Sequence, residues 1–176
     1  MAADPTLLTA AIVHAPNESV DDVLSSFVQE LADDGVRVQG LLQKLRCGAP
    51  GGSCSVDLVD ITTRETYPIF QELGKGSTAC RLDPAGVVAS SIVLRRALEA
   101  RADLIVVNRF GSMEREGRGL AQEMLAAMAE RIPVLTVVHE RYAADWESFT
   151  GGLAARLPAS RDALRAWFDA VAATRR

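Results

Sequence analysis

The sequence predicts an α/β fold: a three-layer, mainly parallel sheet with flanking helices and one antiparallel hairpin. Two observations carry this. Short β-branched runs alternate with longer stretches of helical periodicity, the pattern of strands joined by crossover helices. The chain is also large enough to bury a sizeable core in one domain, with 176 residues, 48% hydrophobic and 24% charged.

The elements follow in order. Thr9 to Val13 is an apolar run that reads as a buried strand. Ser19 is placed to cap a helix to about Asp34, with Asp22 in the capping-box position. Val20, Val23, Leu24, Phe27, Val28 and Leu31 form its apolar face, and Gly35 ends it. Val36 to Gln43 reads as a second strand, and Cys47 to Ser53 as a Gly/Pro-rich loop. Val56 to Ile61 and Thr66 to Phe70 form a hairpin around residues 62–65, with Asp57 and Asp60 expected in solvent. Gln71 to Arg81 is read as a glycine-containing loop. Asp83 then caps a helix that has Pro84 at its first position and runs to about Arg101. Val87, Val88, Ile92, Leu94 and Leu98 are its expected core residues.

Asp103 to Asn108 is a strongly apolar strand, followed by a polar, glycine-containing loop from Arg109 to Gly119. A helix over about 119–131, a strand over 133–138 and a short helix over 143–149 come next. Gly151-Gly152 breaks the chain before a last helix from about Ser160 to Ala173. Trp146, Phe149, Trp167 and Phe168 sit at helical spacing and are expected in the core or a subunit contact.

Composition excludes several functions. A net charge of -4 is not that of a globally basic nucleic-acid binder. Residues 1–5 lack a basic leader region, and no apolar run reaches 18 residues, so a cytoplasmic protein without a membrane partner is expected. Cys47, Cys54 and Cys80 are odd in number with no CxxC pair, so three reduced thiols are expected rather than a disulfide or a zinc site.

Only two of the 19 basic residues are lysine, Lys44 and Lys75. A phosphate loop needs glycines whose backbone N–H groups wrap the phosphates and a lysine that bridges them. The loop after the first strand, His14 to Ser19, has neither, and Glu18, Asp21 and Asp22 crowd the helix start. Gly74-Lys75-Gly76-Ser77-Thr78 contains a Gly-Lys pair but not the spacing. It remains a loop rich in donors, where Lys75, Gly76, Ser77, Thr78 and Arg81 suit an oxyanion. His14 and His139 each follow a strand, so both are expected at one sheet edge.

The strand Asp103 to Asn108 and the stretch Arg109 to Glu114 resemble the Walker B region of small bacterial and archaeal P-loop nucleoside triphosphatases. In those proteins the strand ends in Asp-Glu, which organises Mg²⁺ and polarises water. Here the two positions hold Asn108 and Arg109, a poor magnesium anchor and a residue that is no base. The chain is identified as a member of the Domain of Unknown Function 2478 family. The resemblance rests on Gly40-Leu41-Leu42-Gln43, Leu73-Gly74-Lys75-Gly76-Ser77, Cys80-Arg81-Leu82-Asp83-Pro84, the run from Ala102 to Gly111, Glu116-Gly117-Arg118-Gly119, Ile132 to Thr136, and Gly151-Gly152-Leu153-Ala154. It implies a diverged P-loop-type domain associated with molybdate transport or molybdenum enzymes.

Loss of the Walker lysine and both Walker B acids removes Mg-triphosphate chemistry. It turns a metal-binding edge into an anion-attracting one, with Lys75, Gly76, Ser77, Thr78, Arg81, Asn108, Arg109, Gly111 and Arg118 as the expected ligand-binding set and Arg115 beside them. The expected function is a non-catalytic accessory protein for a molybdate- or phosphate-type anion. It has no resident cofactor or metal, and a homodimer is compatible with it. The alternative is a divergent nucleotide-binding protein or nucleoside triphosphatase using Glu114 and one of the histidines. The alternative to a converging cation set is that Arg115 and Arg118 pair with Glu114 and Glu116 on the surface.

Overall fold

The computed structural model describes residues 6–48, 50, 54–72 and 80–175. The strands are β1 (Thr9–His14), β2 (Val38–Cys47), β3 (Cys54–Asp60), β4 (Thr66–Pro68), β5 (Phe70–Glu72), β6 (Cys80–Leu82), β7 (Leu104–Phe110), β8 (Val134–His139) and β9 (Ala155–Leu157). The helices are α1 (Asp21–Asp33), α2 (Pro84–Glu99), α3 (Ser112–Arg115), α4 (Ala121–Ala129), α5 (Ala143–Thr150) and α6 (Arg161–Ala173), with a 3-10 turn at Glu140–Tyr142. The main sheet runs β4-β3-β2-β7-β8-β1-β9. Its five strands from β2 to β9 pair in parallel, and β3 and β4 extend it antiparallel. This is the predicted α/β class with the predicted hairpin.

Two cores cover the faces of the sheet. Ile105, Val107 and Val138 pack with Leu94, Met124 and Trp146 from α2, α4 and α5. Ile12, Val106 and Val137 pack with Leu24, Phe27 and Phe168 from α1 and α6. Each such large side chain taken fully from water contributes roughly 1.5–3 kcal/mol. Trp146 belongs to one core and Trp167 to the other, so the aromatic positions are core as expected. Gly40 permits the close approach of β2 to β7: its φ is +128°, and a Cβ there would stand 2.0 Å from the Val106 carbonyl oxygen.

Several local expectations are corrected. Helix α1 starts at Asp21 with Val20 at the cap and no side-chain cap bond; the Ser19 hydroxyl instead lies 3.4 Å from Asp22. The 71–81 stretch is not all loop, because β5 and β6 pair from Phe70↔Leu82 to Glu72↔Cys80. Strand β2 continues to Cys47 rather than stopping at Gln43, which puts Cys47 opposite Cys54 across the β2–β3 ladder. The two sulfurs form a disulfide, so the expectation of three free thiols fails. Asp57 and Asp60 are buried, not solvated: Asp57 pairs with Arg46, and Asp60 accepts from the Thr62 and Thr63 amides. On α2, Val87 and Leu94 are buried, but Val88 and Ile92 are exposed.

Asp83 caps α2 as predicted, its carboxylate accepting from the Ala85 amide at 3.0 Å. Asp83→Ala is expected to cost about 1 kcal/mol in urea unfolding, the usual worth of such a cap. Among the described residues, no helix is long and apolar enough to cross a membrane.

Candidate functional site

In open α/β sheets ligands bind beyond the carboxyl ends of the strands. Here His14, Asn108-Arg109 and His139 lie at or near the ends of β1, β7 and β8, and Gln43 lies on β2 two residues past its last pair with β7. A register break on β7 shapes the site. β7 pairs with β8 in step up to Val107↔Thr136 and resumes at Phe110↔Val138, three residues against two. Such a bulge re-aims side chains. The Thr136 hydroxyl donates to the Val107 carbonyl at 2.5 Å, just before the break.

The break brings Asn108 and Arg109 to the same partner. Asn108 Nδ2 donates to Asp21 Oδ1 at 3.1 Å, and Arg109 Nη2 donates to the same oxygen at 3.2 Å. Arg109 Nε donates to Gln43 Oε1 at 3.1 Å, and its Nη1 lies 3.3 Å from His14 Nε2. The histidine tautomer follows from its other nitrogen. Nδ1 lies 2.9 Å from the Ala15 carbonyl, which only accepts, so Nδ1 holds the proton and Nε2 accepts from Arg109. A carboxylate also only accepts, so the Asn108 amide nitrogen faces Asp21. That leaves Asn108 Oδ1 buried with no hydrogen-bond partner among the described residues. Asp21 and Gln43 are not among the expected site residues, whereas His14 is expected at this edge and enters the alternative reading. Asp21 could be read from sequence only as a helix-start acid.

The 111–120 loop is tied by Glu114. Its Oε2 accepts from the Gly111 amide and its Oε1 from the Leu120 amide, each at 3.1 Å. Burial pushes its carboxyl above the ordinary glutamate range, against the opposing pull of these backbone bonds. Gly119 fits against it with φ +61°, where a Cβ would stand 2.3 Å from Oε1.

Between β7, the β5–β6 pair and the 139–142 turn lies a pocket of about 230 Å³. Leu82, Val87, Met113 and Leu120 supply apolar wall, and Phe70, Phe110 and Tyr142 are its aromatic members. Asn108, Arg109, Ser112, His139 and Arg141 bring the polar groups. The Arg141 guanidinium stacks on the Tyr142 ring, 4.8 Å from its centroid. His139 Nδ1 accepts from the Arg141 amide, so its Nε2 carries the proton. As expected, the two histidines meet at one edge, their rings 5.3 Å apart.

Of the predicted binding residues, Asn108, Arg109 and Gly111 line this pocket. Arg118 is exposed and pairs with Glu116, and Arg115 pairs with Asp145. Arg81 falls on β6, but its side chain, like Lys75, Gly76, Ser77 and Thr78, lies outside the described residues. The His14–Ser19 turn closes on itself, with the Ala15 amide donating to Glu18. Among the described residues, no group of three or more His, Cys, Asp or Glu is arranged to hold a metal ion.

The solution structure of a human cancer-related nucleoside triphosphatase superposes with a TM-score of 0.62 at 14% identity, covering 94% of this chain and 96% of that one. The two chains thus share one α/β fold. A protein of Bradyrhizobium diazoefficiens named molybdenum import ATP-binding protein ModC 2 is 38% identical over 159 residues, covering 90% of this chain. The chain spans only 18% of that protein's length. The model of the family described as "Protein of unknown function (DUF2478)" matches residues 9–167, and the chain belongs to that family.

Proposed function

We propose that this chain is a non-catalytic accessory protein that binds a molybdate- or phosphate-type anion and serves molybdenum transport or homeostasis. The charge balance of the pocket carries the reading. Among the described residues, the guanidiniums of Arg109 and Arg141 line it beside the Glu114 carboxylate, with Asp21 paired to Arg109. Both oxygens of that carboxylate accept from backbone amides, which ties it to the 111–120 loop. The resemblance to a Walker B region puts Asn108 and Arg109 in place of an acidic pair, which favours direct grip on an anion over grip through magnesium. The relationship to a molybdenum import protein supports the molybdenum setting.

The test is titration calorimetry with inorganic molybdate and phosphate. Binding is expected to be indifferent to Mg²⁺ and to weaken at least tenfold in Arg109→Ala. Robust Mg-dependent ATP hydrolysis by the purified protein would overturn the reading in favour of a divergent triphosphatase. Absence of heat with either anion would overturn it in favour of a partner-binding subunit.

A further inference from the structure

We infer that Arg141 is the residue that grips the ligand's oxyanion group directly, as a planar fork across two of its oxygens, and that Tyr142 is the platform holding the fork. This rests on the reading above that the β7 pocket is the anion site.

Three observations point to it. First, the two arginines of the pocket are in different states. Every nitrogen of Arg109 already has a partner: Nε donates to Gln43, Nη1 to His14 and Nη2 to Asp21. The same Asp21 offsets its charge. Arg109 therefore meets an anion chiefly as a partly balanced charge. The Arg141 guanidinium also lines the pocket, yet among the described residues it has no ion pair and no side-chain hydrogen bond. A guanidinium carries five N–H donors in one rigid plane, so Arg141 has a full set to give. Second, Arg141 is held in place without using up those donors. It lies over the Tyr142 ring, 4.8 Å from the centroid, a contact that leaves the N–H edges of the plane open to a ligand. Its backbone is fixed too. The Arg141 amide donates to His139 Nδ1 at 3.2 Å within the 3-10 turn after β8, and Tyr142 packs against the core. A cation ordered before the ligand arrives loses less freedom on binding. Third, a second guanidinium, Arg115, lies 5.7 Å from the same ring centroid and is paired with Asp145 at 3.7 Å. Two cations thus share one ring while a carboxylate is paired with only one of them, which leaves the Arg141 charge for an incoming anion. Phosphate and molybdate each present two oxygens on one centre, the shape that a guanidinium fork matches in two parallel hydrogen bonds.

The experiment titrates the full chain with inorganic phosphate and with molybdate, comparing the wild type with Arg141→Ala, Arg141→Lys and Tyr142→Leu. Arg141→Ala is expected to weaken both anions at least tenfold. Arg141→Lys keeps the charge but loses the fork and its seat on the ring, so it is expected to regain less than half of that loss on a logarithmic scale. Tyr142→Leu removes the platform and is expected to weaken binding at least threefold. Binding by Arg141→Lys equal to that of the wild type would overturn the fork in favour of simple charge attraction. Unchanged binding in Tyr142→Leu would overturn the platform. If Arg141→Ala binds as the wild type does while Arg109→Ala is weakened, this inference falls and the anion reading stands. Failure of both anions to bind the wild type would overturn both readings. Arg141 is exposed, so its variants are expected to fold, as judged by circular dichroism. If Tyr142→Leu does not fold, the two Arg141 variants decide.

Discussion

Asp21→Asn is expected to strengthen anion binding by about tenfold, which corresponds to about 1.4 kcal/mol. Asp21 is the counter-ion of Arg109. Its carboxylate takes Arg109 Nη2 at 3.2 Å while also accepting from Asn108. An anion approaching Arg109 therefore meets a guanidinium whose charge is already offset. Asparagine keeps an oxygen for both donors and removes the charge. Two unit charges about 5 Å apart interact by about 3 kcal/mol at an effective dielectric of about 20. Arg109 and Asp21 are each part-exposed, so solvent screening reduces that figure and tenfold is the reasonable scale. The gain should shrink in 1 M salt, where the screening length falls to about 3 Å. Calorimetry with inorganic phosphate at low and high salt measures both effects. Unchanged or weaker binding would mean that Asp21 serves to hold Arg109 in place, not to oppose the ligand.

That pairing shows where sequence reading stops. Alternation along β7 puts Asn108 and Arg109 on opposite faces of the sheet. The extra residue between Val107 and Phe110 brings both to Asp21, and nothing in the run Leu104 to Phe110 announces a bulge. His14 and Gln43 reach Arg109 because β1 ends, and β2 leaves its pairing with β7, at the same edge of a sheet whose order, β2-β7-β8-β1, is a long-range property. The Cys47–Cys54 disulfide was hidden for a related reason. The polar stretch after Gln43 broke the hydrophobic pattern, yet β2 persists through Lys44, Leu45 and Arg46 by pairing with β3. Strand β9 is three residues long, too short to show a period, and two residues separate it from the helix-breaking glycines.

The legible parts were those set by local chemistry. The Asp83-Pro84 start of α2, the apolar face of α1 and the uninterrupted apolar runs of β1, β7 and β8 need only near neighbours to be read. The convergence of several cations was not met in the same way: Arg115 and Arg118 found acidic neighbours, and of that set Arg109 alone lines the pocket among the described residues.

Glu114 is expected to produce the largest loss of stability. Its two oxygens hold the Gly111 and Leu120 amides, and Leu120 is almost fully buried. Glu114→Ala strands both donors. At roughly 1–3 kcal/mol for each unsatisfied group, a loss of about 4 kcal/mol is expected in urea unfolding. Anion binding should fall with it, because Ser112, Met113 and Leu120 from this loop form one wall of the pocket. A loss below about 1 kcal/mol would mean that the loop organises without its tether. The pH dependence carries a second test with a definite sign. Burial raises the Glu114 carboxyl in the folded protein, so the unfolded chain releases this proton first as pH rises. The associated stability is complete below the ordinary glutamate range and is lost as pH climbs through the raised folded value. Glu114→Gln removes the titration, and its amide group puts a donor against one of the two backbone amides. The gap in melting temperature between the wild type and Glu114→Gln should therefore be widest at about pH 4 and narrow toward neutrality. A gap that widens as pH rises would show that the ionised carboxylate, held by its two amides, is the favoured form.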